Sequence, residues 1–111
     1  MNHLSTHILD TARGSPAAEV VVVLEAFVNG VWTVLGDGVT DADGRVKNLL
    51  NGLIPSGLYR LRFATGDYFE RIGQPVFYPE VIIVVQLDSA VERYHLPLLL
   101  SPYSYSTYRG S

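Results

Sequence analysis

The segment Glu19-Val-Val-Val-Val-Leu-Glu-Ala-Phe-Val-Asn-Gly-Val-Trp-Thr-Val-Leu35 decides how this chain folds. Residues 19 to 28 are dominated by β-branched side chains, which are stiff at χ1 and pack well on a pleated surface. They end in Asn29-Gly30, the pair that most readily takes the two positive φ angles of a tight hairpin turn, and a second strand is predicted over Val31 to Leu35. An antiparallel hairpin is therefore the nucleus of the reading.

The same two-residue period extends in both directions, and helical spacing is hard to sustain anywhere for long. Upstream, residues 3 to 9 place Leu4, Thr6 and Ile8 on one face and His3, Ser5 and His7 on the other, before Thr-Ala-Arg-Gly-Ser-Pro makes a turn. Downstream, Asp41-Ala-Asp-Gly-Arg is a turn handing over to a short strand near Arg45 to Leu49. In Leu58 to Phe63, Tyr59, Leu61 and Phe63 face inward while Arg60 and Arg62 face out. Asp67 to Gly73 is expected to hold a short helix, capped by Asp67 and stopped by Gly73. The run Val81 to Leu87 is apolar on both alternating faces, which calls for a helix or a partner subunit over the second face. A further strand over residues 92 to 100 sets Tyr94, Leu96, Leu98 and Leu100 against His95. About eight short strands and one short helix indicate an all-β, antiparallel sandwich forming a single domain over residues 1–111.

Composition narrows the function classes. Of 111 residues, 48% are hydrophobic and only 17% charged, more apolar surface than a small core of this size needs. The densest apolar stretches are about five residues long against the roughly 20 of a membrane-spanning helix, so no membrane partner is expected. The opening residues carry no basic n-region followed by a long apolar core, which makes the cytoplasm the expected compartment, or the periplasm if a leader was removed. A net charge of −3 disfavours nucleic acid. The absence of cysteine excludes disulfides, cysteine nucleophiles and thiolate metal sites.

Few motifs carry chemistry. Asp41-Ala-Asp-Gly resembles the start of a calcium loop but lacks the later oxygen ligands and terminal glutamate, and reads as a plain turn. The three histidines lack zinc-motif spacing, so no metal is expected. No Gly-x-Ser-x-Gly or phosphate-binding glycine loop occurs. What remains is His7 and His95 on strands, Arg45 after a turn, and the closing Thr-Tyr-Arg-Gly-Ser. Spacing alone is equally satisfied by solvated strand histidines, a solvated turn arginine and a frayed end.

Longer segments add to this. Ser-Thr-His-Ile-Leu-Asp-Thr-Ala-Arg-Gly at 5 to 14, Asp-Gly-Arg at 43 to 45, Phe-Tyr-Pro-Glu-Val at 77 to 81, and the final stretch from His95 through Pro-Tyr-Ser-Tyr-Ser-Thr to Tyr108-Arg109-Gly110-Ser111 resemble the 5-hydroxyisourate hydrolases. These form the transthyretin-related branch of purine catabolism. The resemblance implies a transthyretin-like (prealbumin-like) β-sandwich of two four-stranded sheets, assembled as a homotetramer with active sites at the dimer–dimer interface. It implies hydrolysis of 5-hydroxyisourate to 2-oxo-4-hydroxy-4-carboxy-5-ureidoimidazoline in urate degradation, without a cofactor. The family's first-strand histidine falls on His7, its turn arginine on Arg45, its late-strand histidine on His95, and its terminal tetrapeptide on Tyr108, Arg109, Gly110 and Ser111.

Those residue types suit the reaction. Opening a lactam with water requires a base, a donor for the developing oxyanion, and an acid for the leaving nitrogen. His7 and His95 are expected to position and deprotonate the water, with either as the base, while Arg45 binds the carbonyl edge and holds the oxyanion. Tyr108 is expected to orient the ring, and the carboxylate of Ser111 to hold a histidine or Arg45. The alternative from another class is a non-catalytic, transthyretin-like carrier of a small aromatic ligand.

Overall fold

The computed structural model describes residues Met1–Ser111. Nine strands and one helix follow in the order β1 (Asn2–Asp10), β2 (Ser15–Pro16), β3 (Val21–Val28), β4 (Val31–Val39), β5 (Arg45–Gly52), β6 (Gly57–Phe63), α1 (Thr65–Arg71), β7 (Val81–Leu87), β8 (Arg93–Ser101) and β9 (Ser104–Thr107). One sheet runs β4-β3-β6-β7. The other runs β5-β1-β8-β9, with the two-residue β2 sharing β1's outer edge beyond β5 and making a fifth strand.

The Asn-Gly turn forms as expected, with φ of 50° at Asn29 and 77° at Gly30 and Val28 paired to Val31. Strand β4 continues past the expected Leu35 to Val39, because a bulge opposite Leu24 and Glu25 absorbs Leu35 and keeps the later residues in register. Alternation in β6 places Tyr59, Leu61 and Phe63 inside, whereas Arg60 and Arg62 lie on the outer face. There Arg60 Nε donates to the buried Glu25 at 2.7 Å, and its guanidinium stacks over Trp32. A cluster of 21 buried apolar residues fills the space between the sheets, among them Ile8, Leu24, Leu61, Phe63, Phe69, Leu98 and Leu100.

Two expectations are corrected. The sandwich is not wholly antiparallel: β1 and β8 run parallel, from His3 opposite Arg93 to Asp10 opposite Leu100. Side-chain alternation is identical in parallel and antiparallel strands, so it carries no information on direction. The helix starts earlier, at Thr65, with Ala64 as a cap that makes no side-chain bond; Asp67 lies in the first turn, where its charge favours the helix dipole. Burial of Tyr68 and Phe69 sets its position instead. Tyr68 donates at 2.7 Å to buried Asp10, which anchors the helix at one end of the sandwich and leaves the outer face of β7 uncovered. Ile82 and Val84 there are 43% and 54% exposed.

Candidate active site

Three adjacent strands converge on one patch of the outer face of the β5-β1-β8-β9 sheet. In β1 the alternation that buries Leu4, Thr6 and Ile8 turns His3, Ser5 and His7 outward. Antiparallel pairing sets His7 directly opposite Arg45 of β5, and parallel pairing sets Ser5 directly opposite His95 of β8. Buried Thr6 donates through Oγ1 to the Leu96 carbonyl at 2.6 Å, which locks the β1–β8 register beneath the patch.

The turn before β5 is built to deliver Arg45. Asp41 Oδ1 accepts from the backbone N–H groups of Asp43 and Arg45 at 2.9 and 3.0 Å, and the Gly44 carbonyl accepts from Ile8 N at 2.8 Å. The Arg45 N–H, aided by that of Asp43 and the charges of Lys47 and Arg45, holds the Asp41 carboxyl below the usual range against the cost of burial. Asp41 thus serves as a turn cap, in keeping with the plain-turn reading.

The chain's end is docked. After β9, Gly110 N donates to the His95 carbonyl at 2.8 Å and Thr107 Oγ1 to the Pro97 carbonyl at 2.7 Å, so the tail follows β8. The Arg109 guanidinium lies over the Tyr94 ring, 4.9 Å from its centroid. A Cβ on Gly110 would stand 2.6 Å from His95 Cδ2, so only glycine lets the backbone lie against the imidazole. Gly110→Ala is expected to displace either the tail or the ring and to lower kcat about tenfold or more without unfolding the protein, since lost alignment of an acid–base group alone costs that much. Parallel turnover and melting measurements check this.

His3, Ser5, Arg45, Lys47, Asn48, Arg93, Tyr94, His95 and Ser111 line a cleft of about 410 Å³. Of the residues expected from the sequence, Arg45, His95 and Ser111 meet in it. His7 stands on the same face beside Arg45, close enough for its charge to act on His95. Tyr108 is 57% exposed and outside the cleft lining. His3, Ser5, Lys47, Asn48, Arg93 and Tyr94 were missed, although Ser5, Lys47 and Arg93 each stand two residues from an expected site residue on the same strand face.

The cleft is cationic, which fits a small, oxygen-rich or anionic substrate. His95 is held below the usual histidine range, first by partial burial and then by the charges of Arg45 and His7, with the Ser5 carbonyl pulling the other way. It is therefore neutral at pH 7, able to act as a proton acceptor beside a guanidinium that can hold an oxyanion.

A β-sandwich with two histidines and an arginine on one sheet face, beside its own chain end, carries the proton acceptor and the oxyanion-holding cation that a small hydrolytic enzyme needs. A model of the HIUase/Transthyretin family matches residues 4–110, and the chain belongs to that family. It is 49% identical to a 5-hydroxyisourate hydrolase of Salmonella dublin over 99% of this chain and 82% of that one. Among solved structures, a Klebsiella pneumoniae 5-hydroxyisourate hydrolase superposes with a TM-score of 0.88 at 38% identity, with both chains fully covered. The transthyretin of Sparus aurata superposes with a TM-score of 0.93 at 34% identity, over 99% of this chain and 97% of that one. The transthyretin-like sandwich is thus the fold of this chain, with the short β2 added to one of its sheets.

Proposed function

We propose that this chain is a 5-hydroxyisourate hydrolase of urate degradation that opens the lactam ring with a base-activated water. The convergence of Arg45, neutral His95 and Ser111 in one cleft, with His7 beside it, carries this reading. The relatives at high identity support it, because they bear that name over nearly the whole chain. Arg45 holds the carbonyl oxygen as it becomes an oxyanion, one histidine takes the water's proton, and the ring nitrogen leaves protonated. Tyr108, exposed three residues before the cleft-lining Ser111, orients the ring. The product is 2-oxo-4-hydroxy-4-carboxy-5-ureidoimidazoline. The decisive experiment generates 5-hydroxyisourate in situ from urate with urate oxidase and follows its absorbance. Decay faster than the spontaneous rate supports the enzyme, whereas saturable binding of an aromatic ligand without turnover supports a carrier.

Turnover that needs His95 uncharged has a stated pH dependence. Burial and the neighbouring charges hold His95 below the ordinary histidine value of 6.5, so the acid limb of kcat/KM is expected to have its midpoint beneath 6.5. The same shift makes stability flat above pH 6.5. Below it stability declines, because the unfolded chain takes the proton first, until the folded value is reached. An acid limb centred above 6.5 would contradict the role of neutral His95.

The functional unit is a homotetramer in this reading. Strands β7 and β9 are each an edge of their sheet and lie on the same side of the sandwich, where Tyr78, just before β7, packs 5.1 Å from Tyr105 of β9. Two unpaired edges, with exposed Ile82, Val84 and Tyr103 nearby, are surfaces that another copy covers and that an isolated subunit leaves open to aggregation. The site faces of paired copies would then close over the cleft. Light scattering is expected to give four subunits per particle at assay concentrations, and an active monomer would refute the assembly.

A further inference from the structure

The hydroxyl of Ser5 has no role in the reading above, yet it makes the one side-chain bond to a histidine in the structure. Ser5 Oγ lies 2.8 Å from His95 Nδ1 across the parallel β1–β8 pair. On the other side of the ring, Gly110 packs against Cδ2. With Nδ1 engaged and the Cδ2 edge covered, the Cε1–Nε2 edge is what the imidazole offers the cleft. A serine hydroxyl can accept from Nδ1–H or donate to a bare Nδ1. An imidazole can take a proton at Nε2, on the edge facing the cleft, only when its own proton sits on Nδ1, and the Ser5 hydroxyl is the group placed to accept from that Nδ1–H.

We infer that Ser5 is a positioning residue: it holds His95 with the proton on Nδ1 and the lone pair on Nε2, and so makes His95 the base that deprotonates the attacking water. This rests on the hydrolase reading and adds the tautomer and the identity of the base. In the step, Nε2 takes one proton of water as the water oxygen bonds to the lactam carbonyl carbon, whose π electrons move to the oxygen held by Arg45. When that oxyanion collapses, the C–N bond breaks, the imidazolium returns the proton to the leaving nitrogen, and a carboxylic acid remains, to ionise in solvent. The opposite tautomer would present N–H to the water and could not start the reaction. The other groups around His95 do not compete for Nδ1. His3 and His7 flank Ser5 on β1, Arg45 and Lys47 approach from β5, Arg93 precedes it on β8, and Arg109 and Ser111 belong to the tail.

Two measurements on the full-length protein test this. Long-range 1H–15N correlation spectra of 15N-labelled protein at pH 7.5 are expected to show His95 protonated at Nδ1 in the wild type and in Ser5→Thr, which keeps the hydroxyl and suits a strand. In Ser5→Ala they are expected to show a mixture of tautomers. In parallel, Ser5→Ala should lower kcat about tenfold with KM little changed, and Ser5→Thr should restore most of it, the usual scale for partial loss of an aligned base. A wild-type His95 protonated at Nε2, or a Ser5→Ala protein with unchanged tautomer and kcat, overturns the inference. The two readouts separate the failures. A wild type that does not turn over 5-hydroxyisourate would refute the hydrolase reading, while the spectra would still decide whether Ser5 sets the tautomer.

Discussion

Replacing His95 by alanine is expected to lower kcat for 5-hydroxyisourate about 10²- to 10⁴-fold, the range that a positioned acid–base group contributes. Of the three imidazoles this is the one held by a side-chain bond, from Ser5 at Nδ1, with the Gly110 backbone against Cδ2, and its burial beside Arg45 favours the neutral form. Fold and assembly should survive, since the ring is only partly buried and the Thr6 bond to Leu96 and the Gly110 bond to the His95 carbonyl do not involve it. Stopped assays with substrate made in situ, alongside a thermal melt, separate chemistry from stability. A rate within a few-fold of wild type would remove His95 from the mechanism.

The second large effect falls on Arg45. Arg45→Ala should cost about 10²- to 10³-fold in kcat, as loss of an oxyanion donor does. Arg45→Lys should recover only part of it, because an ammonium is a point charge and cannot present the planar guanidinium fork. Arg45 is exposed and its backbone, not its side chain, is bonded to Asp41, so neither variant should change the melting temperature appreciably. Removing this cation should also let the His95 value rise, since Arg45 is one of the charges that depress it. In the residual activity of Arg45→Ala the acid limb should therefore move to higher pH. A loss of rate with no movement of the limb would place Arg45 out of range of His95.

Much of this site was legible residue by residue. Strict alternation put His7 on the polar face of β1 with His3 and Ser5, and put His95 opposite the Tyr94, Leu96, Leu98 and Leu100 set of β8. Resemblance to known hydrolases singled out Arg45 and the closing tetrapeptide. Ser5 escaped notice because a serine between two histidines on a strand is ordinary, and its partner lies 90 residues away. Lys47 and Arg93 escaped for the same reason, being unremarkable strand cations until a cleft joins them. The calcium-like Asp41-Ala-Asp-Gly was readable as a turn. That its carboxylate carries the Arg45 N–H emerged only from the folded geometry.

By itself the sequence determined seven of the nine strands, their inward and outward faces, and the Asn29-Gly30 turn, because side-chain period and turn chemistry are properties of a few consecutive residues; the short β2 and β9 were not legible. Only the tertiary structure decided which strands are neighbours. The parallel insertion of β8 beside β1 brings Ser5 to His95, the β5 edge brings Arg45 to His7, and the tail's course along β8 lays Gly110 against the imidazole. Strand order and direction follow from closing two sheets over one shared core, a condition on the whole chain that the alternation within any single strand does not contain.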